Sequence, residues 1–369
     1  MMQRDVRAED AGKTIIQIVR AWLHPSKKML ATLKWNKGRI LCNGVPVRTD
    51  HVPHPGDRIS VILEDMPHVT TDPNNHTTDT QNTALYISED VSYPTVQLSQ
   101  SLVTQPYDQT RKIKILYEDR YIIILDKPAG IAVHPCPGHP RSKTLLAALE
   151  QNSKVPPLCY RVVGRLDIDT GGCMMYAKTR YAADIYSRFR KSGTLFKCYL
   201  ALLHGHLTTK QGILCTILSP AQHGHIMRPA TPLAPDARLC RTAFHVLAQS
   251  TNGTLIAARP LTGRMHQIRA QFAAAGHALI GDTLYGAPPC RILPHQALHA
   301  TEMTFPRLSE QVDLDTVITA RVHSPLPRQF QTLLRQLFPP TQFSLSHPDK
   351  PDVYACLSAP QTLCEMTHL

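Results

Sequence analysis

Residues 64–110 constrain this chain more than any other stretch: 47 consecutive positions hold no lysine or arginine and seven acidic residues. Within them, HVTTDPNNHTTDTQNT at 68–83 has no sustained hydrophobic period and offers no face to bury. The chain therefore divides. At 369 residues it exceeds the usual domain of about 100 to 200, and two folded units joined by an acidic linker over 64–110 is the expected organisation. Setting those seven negative charges apart from a formal net charge of +12 leaves +19 on the remainder. The basic character belongs to the folded units and suits a polyanion, nucleic acid first. A flexible linker of this length reaches about 35 to 40 Å, enough for two modules to meet separate parts of one large RNA.

A hydrophobic content of 43% with 18% charge fits a globular protein. The ten cysteines are scattered singly from Cys42 to Cys364 with no C-x-x-C pair, so neither a zinc ribbon nor a redox dithiol is expected, and reduced thiols in the cytoplasm are. The N-terminus, MMQRDVRAEDAGKTIIQIV, is acidic before its first apolar stretch, unlike a signal peptide. Apolar runs such as YIIIL at 121–125 are strand-sized, far below a membrane span.

After a tail over 1–13, residues 14–63 read as a small α+β module. KTIIQIVRAWL puts Ile15, Val19, Trp22 and Leu23 on one helical face. Ser26 then caps KKMLATLKWNKG, where Met29, Leu30 and Leu33 repeat the period until Gly38 ends the helix. Asn43-Gly44 between two strand-like runs is a strong hairpin signal, and HPGDRISVIL supplies a turn and a closing strand. Lysines at a helix start oppose the helix dipole, so a phosphate there makes more sense of them than a solvated face does.

From 111 to about 325 the texture becomes strands punctuated by Gly and Pro: IKILYED, YIIILDKPAGIAVHP, CMMYAKT, FKCYLALLHGHL and TLIAARP. Helical periods appear in SKTLLAALEQ, RYAADIYSRFRKS and MHQIRAQFAAAG. Strands and helices without a βαβ rhythm predict an α+β domain, a largely antiparallel mixed sheet with flanking helices and a central cleft. Residues 326–369 form a C-terminal extension containing the helical stretch RQFQTLLRQLF.

Two segments carry chemistry. In GRLDIDTGG, glycines suit a crowded turn that delivers one carboxylate, although by local pattern alone the stretch also reads as a surface loop. In RPLTGRMHQIRAQF, a helix opening after Thr262-Gly263 brings Arg264, His266 and Arg269 within two turns, or else simply presents a basic solvated face. One carboxylate among arginines suits an ionised acid beside cations and phosphates better than a metal site. HPCPGH offers His134, Cys136 and His139 but no fourth ligand, so no metal is expected.

Together these segments resemble the RluA family of pseudouridine synthases. Its first motif, H-R-L-D-x-x-T-S-G before an apolar strand ending in A-K, is matched by GRLDIDTGGCMMYAK. Its later motif, T-G-R-x-H-Q-I-R and then G-H-P-x-x-G-D-x-x-Y-G, is matched by TGRMHQIRAQFAAAGHALIGDTLYG. ILYEDRYIIILDKPAGIAVHP looks like the opening strand pair, FKCYLALLHG like the K-x-Y motif and LHATEMTF like the closing strand, so the likeness spans 111–306 in order. The preceding module is similar to the alpha-L RNA-binding domain, through SKKM, NKGRILCNGVPV and PGDRI.

The resemblance implies an isomerase that converts uridine in RNA to pseudouridine, in large-subunit ribosomal RNA or, failing that, transfer RNA. It implies no cofactor, because nothing is oxidised or reduced, and a monomer is the expected state. Asp167 matches the catalytic aspartate, Tyr199 the tyrosine that packs against the base and Arg269 the arginine that pairs with the aspartate. Arg165, Arg264 and His266 become RNA contacts, Arg165 and Arg264 alternatively contacts to the carboxylate, as do Lys27, Lys28, Lys34, Lys37 and Arg39 in the small module. Asp169 falls at a freely varying position, and Gly171 and Gly172 are expected to let the turn pass close to RNA. Gly164 and Gly171 depart from the motif's His and Ser, and Ala270-Gln271 from its common Val-His pair. A non-catalytic RNA-binding factor on the same scaffold is the competing class, and retention of Asp167, Tyr199 and Arg269 argues against it.

Overall fold

Leu298–Pro306 and Gly171–Ala177 are buried along their whole lengths, and side by side they form the spine of an eleven-stranded sheet. The computed structural model describes residues 2–23, 25, 27–35, 38–63, 113–151, 160–221, 226–308 and 318–338. The acidic linker, Ser26 and its cap, Lys37, and most of the C-terminal extension lie outside the described residues.

The N-terminal module is a four-stranded antiparallel sheet: β1 (Met2–Asp5), β2 (Ile40–Cys42), β3 (Val45–Pro46) and β4 (Arg58–Val61), in the order β1-β4-β2-β3. Helices α1 (Ile15–Leu23) and α2 (Lys27–Trp35) pack on it through Ile15, Ile18, Val19, Trp22, Met29 and Leu33. Asn43 and Gly44 take the positive φ values, +50° and +81°, that the tight β2–β3 turn requires. The tail expected over 1–13 is instead partly structured: Met2–Asp5 pairs with β4 and buries Met2. Its alternation is only four residues long, and the partner strand lies more than fifty positions away. The module touches the larger domain where the Tyr121 hydroxyl donates to the Met2 sulfur at 3.2 Å.

The large sheet holds β5 (Lys114–Glu118), β6 (Ile122–Lys127), β7 (Arg161–Val162), β8 (Gly171–Ala177), β9 (Phe196–Leu203), β10 (Gln211–Pro220), β11 (Met227–Pro229), β12 (Arg238–Ser250), β13 (Gly253–Pro260), β14 (Leu298–Pro306) and β15 (Thr319–His323). Its main path runs β11-β10-β12-β13-β9-β14-β8-β6-β5, with β15 on β14 and β7 on β8. Among the described strands only β8 and β14 pair in parallel. Helices α3 (Leu145–Gln151), α4 (Arg180–Ser192), α5 (Gln267–Ala274) and α6 (Arg328–Leu337) flank it. The α+β class is as expected, whereas the long strands β10 and β12 were not legible, because Thr, Arg, Gln and Pro interrupt their alternation.

Residue chemistry sets the helix limits. Thr179 accepts from the Ala182 N–H at the start of α4, and Gly193 ends it at φ +80°. The helix expected right after Gly263 begins only at Gln267, with Arg264 and His266 in the approach. Nor is its face solvated: Gln267 through Phe272 are all buried. Gln267 donates to the Arg241 carbonyl, and Gln271 to those of Leu214 and Cys240, so the polar side chains inside are satisfied. At the other end α6 buries Phe330, Leu333 and Leu334 beside Leu202 and Leu255, so the hydrophobic core of the large sheet continues past the boundary expected at 325.

Candidate active site

Asp167 stands in the turn between β7 and β8, and a buried lysine fixes that turn. The Lys127 ammonium donates to the carbonyls of Pro128 (2.9 Å), Ile168 (2.7 Å) and Thr170 (2.9 Å), drawing together backbone on both sides of the site. Thr170 N–H closes on the Asp167 carbonyl at 3.1 Å, Gly130 N–H on that of Ile168 at 3.0 Å. Gln296 donates to the Thr170 hydroxyl at 3.2 Å. Burial pushes the Lys127 amine down to about 7, while Asp169 and then Asp167 act in the opposite sense.

Arg269, on the first turn of α5, meets two carboxylates. Its Nε and Nη2 donate to Asp282 at 2.7 and 2.8 Å, a bidentate grip, and Nη1 reaches Asp167 Oδ2 at 3.1 Å. Asp282 is 1% exposed, and the Arg269 side chain 6% against 23% for Asp167. The open end of the relay is thus the Asp167 carboxylate. Burial works against the Arg269 charge, but the two carboxylates outweigh it and hold the guanidinium protonated more firmly than usual.

His266 adopts φ +51° just before α5, which brings Nε2 to 3.9 Å from Asp167 Oδ2 and Nδ1 to 3.2 Å from the Tyr285 hydroxyl. Tyr285 also lies beneath Arg269, 5.2 Å from ring centroid to guanidinium carbon, and its hydroxyl accepts from the Met227 N–H. Tyr199, on β9, is half-buried against the clusters on both sides of the turn. Burial raises the pKa of its hydroxyl, and the Asp167 charge adds to the effect.

Four of the residues singled out in the sequence, Asp167, Arg269, His266 and Tyr199, therefore converge. Arg165 and Arg264 are exposed at its rim, and neither contacts a carboxylate among the described residues. Lys27 and Lys34 are exposed on α2, Arg39 is half-buried, and the Lys28 side chain and Lys37 lie outside the described residues. Sequence reasoning missed Asp282, Tyr285 and Lys127. The first two stand in the quoted GDTLYG and the third in LDKPAG, where a lysine between an apolar strand and a turn was the available signal.

Gly171 and Gly172 open the buried strand β8, where the protein's own backbone crowds them. A Cβ on Gly172, at φ +114°, would lie 2.2 Å from the Ala300 carbonyl oxygen, and one on Gly171 3.1 Å from both His299 Nδ1 and the Lys127 carbonyl. This crowding comes from β14 and β6. Gly164, at φ +76°, holds a left-handed conformation that a histidine would adopt only under strain.

A family model described as RNA pseudouridylate synthase matches residues 121–274. The chain is 28% identical over 312 residues to the uncharacterized RNA pseudouridine synthase YjbO of Bacillus subtilis, covering 84% of this chain and 94% of that one. With YhcT of the same organism, also an uncharacterized RNA pseudouridine synthase, the figures are 32% over 246 residues, 66% and 78%. With the ribosomal large subunit pseudouridine synthase D of Nitrosomonas europaea they are 36% over 249 residues, 64% and 68%. With these likenesses, the chain belongs to the RNA pseudouridine synthases of the RluA family, and it is an isomerase that acts on RNA. Among the described residues no helix is long and apolar enough to cross a membrane.

Proposed function

We propose that the chain converts particular uridines of large-subunit ribosomal RNA to pseudouridine, with Asp167 as the catalytic carboxylate. The observation that carries the catalytic assignment is the Asp282–Arg269–Asp167 chain, in which a buried acid aims a buried arginine at one half-open carboxylate. The reaction breaks the bond between ribose C1′ and uracil N1 and joins C1′ to C5, with the C5 proton lost and N1 gaining one, so the base must detach, turn and reattach without escaping. An ionised carboxylate serves such a step as nucleophile at C1′ or as base on the sugar, and the Arg269 guanidinium 3.1 Å from Asp167 fixes its place. The uracil reaches Asp167 only when flipped out of its stack, and the Tyr199 ring supplies a face against which a detached base can be held. His266 and the rim residues Arg165 and Arg264 meet the RNA around it.

The ribosomal target is supported by the likeness to the Nitrosomonas europaea enzyme and by a 32% identity over 246 residues to the ribosomal large subunit pseudouridine synthase D of Pseudomonas aeruginosa. We further infer that the N-terminal α+β module is an RNA-binding unit of the alpha-L kind, with Lys27, Lys28, Lys34, Lys37 and Arg39 toward phosphates. Carbodiimide mapping of pseudouridines in total RNA from cells with and without the gene tests the assignment. Loss of one or more large-subunit positions is the expected result, and loss confined to transfer RNA would replace the substrate.

A further inference from the structure

The site leaves one arginine to be explained. Arg190 belongs to the last turn of α4, distant in sequence from both the 163–170 turn and the approach to α5, yet its side chain lies between them. A Cβ built on Gly164 would sit 3.4 Å from Arg190 Cδ and 4.0 Å from Nε, and one built on Gly263 would sit 3.1 Å from Nη1. The Arg190 side chain therefore lies directly against both glycines, in ordinary contact range at Gly164 and tightly at Gly263, so that side chains longer than a methyl group there would compete with it for space. Each glycine is followed directly by an exposed arginine, Arg165 in one loop and Arg264 in the other, and Arg190 is exposed too. None of the three forms an ion pair among the described residues, so three cations from three elements flank the Asp167 turn and the approach to α5 with no described carboxylate within ion-pair distance. The charge of Arg190 also reaches beneath the rim. Burial first, and Arg190 in the same direction, depress the amine of Lys197, two residues before Tyr199 on β9, to about 8 against the opposing influence of Cys173.

Uncompensated like charges on adjoining loops repel one another, and an anion bound among them relieves the repulsion. We propose that Arg190 binds a backbone phosphate of the RNA beside the uridine presented to Asp167, bridging the Gly164 and Gly263 loops as it does so. The proposal rests on the RNA-modifying reading of the same site. It also accounts for Gly164 where the resembled motif has histidine: a cation from α4 covers that position instead of a side chain rooted in the turn.

Binding of a 12-nucleotide oligouridylate is measured against salt concentration in the otherwise unaltered full chain and in Arg190→Gln and Arg190→Lys, and turnover is measured on large-subunit ribosomal RNA. Arg190→Gln is expected to weaken binding about tenfold, the usual worth of a charge-assisted hydrogen bond. It should also flatten the slope of log K against log salt by about 0.7, the single-strand value for one phosphate. KM should rise with kcat within about twofold, the mark of lost binding rather than lost chemistry, and Arg190→Lys should keep the slope. A slope unchanged in Arg190→Gln overturns the proposal, as does a fallen kcat at unaltered KM, which would make Arg190 a prop for the Asp167 turn. A full chain that binds RNA with an Arg190-dependent slope but forms no pseudouridine would keep the phosphate contact and refute the catalytic reading instead.

Discussion

Asp282 grips Arg269 through two hydrogen bonds of 2.7 and 2.8 Å and leaves the remaining terminal nitrogen of the guanidinium to reach Asp167 at 3.1 Å. One end of the arginine is anchored by a carboxylate that never meets solvent, so the other end has a defined aim. On the proposed assignment Asp282 acts through Arg269, as a positioning residue. Asp282→Ala strands a buried guanidinium with half its partners and should cost about 3 to 5 kcal/mol of stability, read as a lowered Tm. Asp282→Asn keeps one acceptor and should fold, but with the aim loosened kcat should fall on the order of a hundredfold while KM changes little. A folded Asp282→Asn with the parent kcat would refute the positioning role.

Asp167→Asn should abolish pseudouridine formation and leave RNA affinity nearly intact, because the carboxylate is assigned to bond exchange rather than to binding. Single-turnover assays with excess enzyme, set beside filter binding, separate the two effects. Measurable product formation by a homogeneous Asp167→Asn sample would remove Asp167 from the mechanism.

The two neighbouring glycines should respond unequally. Alanine at 172 would put a methyl 2.2 Å from the Ala300 backbone oxygen at φ +114°, and neither strand can yield, so a loss above about 4 kcal/mol or failure to fold is expected. Alanine at 171 meets His299 and the Lys127 carbonyl at 3.1 Å. A small adjustment suffices there, and a cost of about 1 kcal/mol is expected. Chemical denaturation of both variants gives the comparison, and equal losses would contradict the packing described.

Stability should depend on pH through Lys127. The unfolded chain keeps that proton up to about 10.4, whereas burial lowers the folded value to about 7. Between these limits the unfolded state binds more protons, so stability should rise with pH across the window relative to Lys127→Met, which has no proton to lose. Below pH 7 both states are charged and the difference between the proteins should level off. Urea midpoints for the two proteins from pH 6 to 10 test this, and parallel curves would mean that Lys127 does not titrate there.

Lys27 and Lys34 are exposed on α2. If the N-terminal module binds RNA, replacing both by alanine should lower the salt slope for long RNA by about one per lost phosphate contact, with kcat on a short fragment unchanged. An unaltered slope would move the module's RNA surface elsewhere.

The elements with strong local periodicity were legible before folding was considered. YIIIL became a buried strand, Asn43-Gly44 a tight hairpin, and the stretch RYAADIYSRFRKS a helix stopped by Gly193. β10 and β12 escaped because they lie toward one side of the sheet with mixed faces and broken alternation. Within the site, Asp167, Arg269 and Tyr199 could be named from ordered motifs. Asp282 and Lys127 could not be given roles, since Asp282 meets Arg269 13 positions away and Lys127, besides its neighbour Pro128, meets Ile168 and Thr170 41 and 43 positions away.

By itself the sequence determined the α+β class and the family, and it named the carboxylate proposed for the chemistry, because composition, period and motif order are properties of neighbours along the chain. Only the tertiary structure decided how that carboxylate is held. Arg269 meets Asp167 across 102 positions, Gly172 is required by the Ala300 backbone on another strand, and Arg190 reaches the rim from a helix end. These are contacts made when the sheet closes, and their physical cause is burial: charges and carbonyls withdrawn from water must find partners wherever the fold brings them.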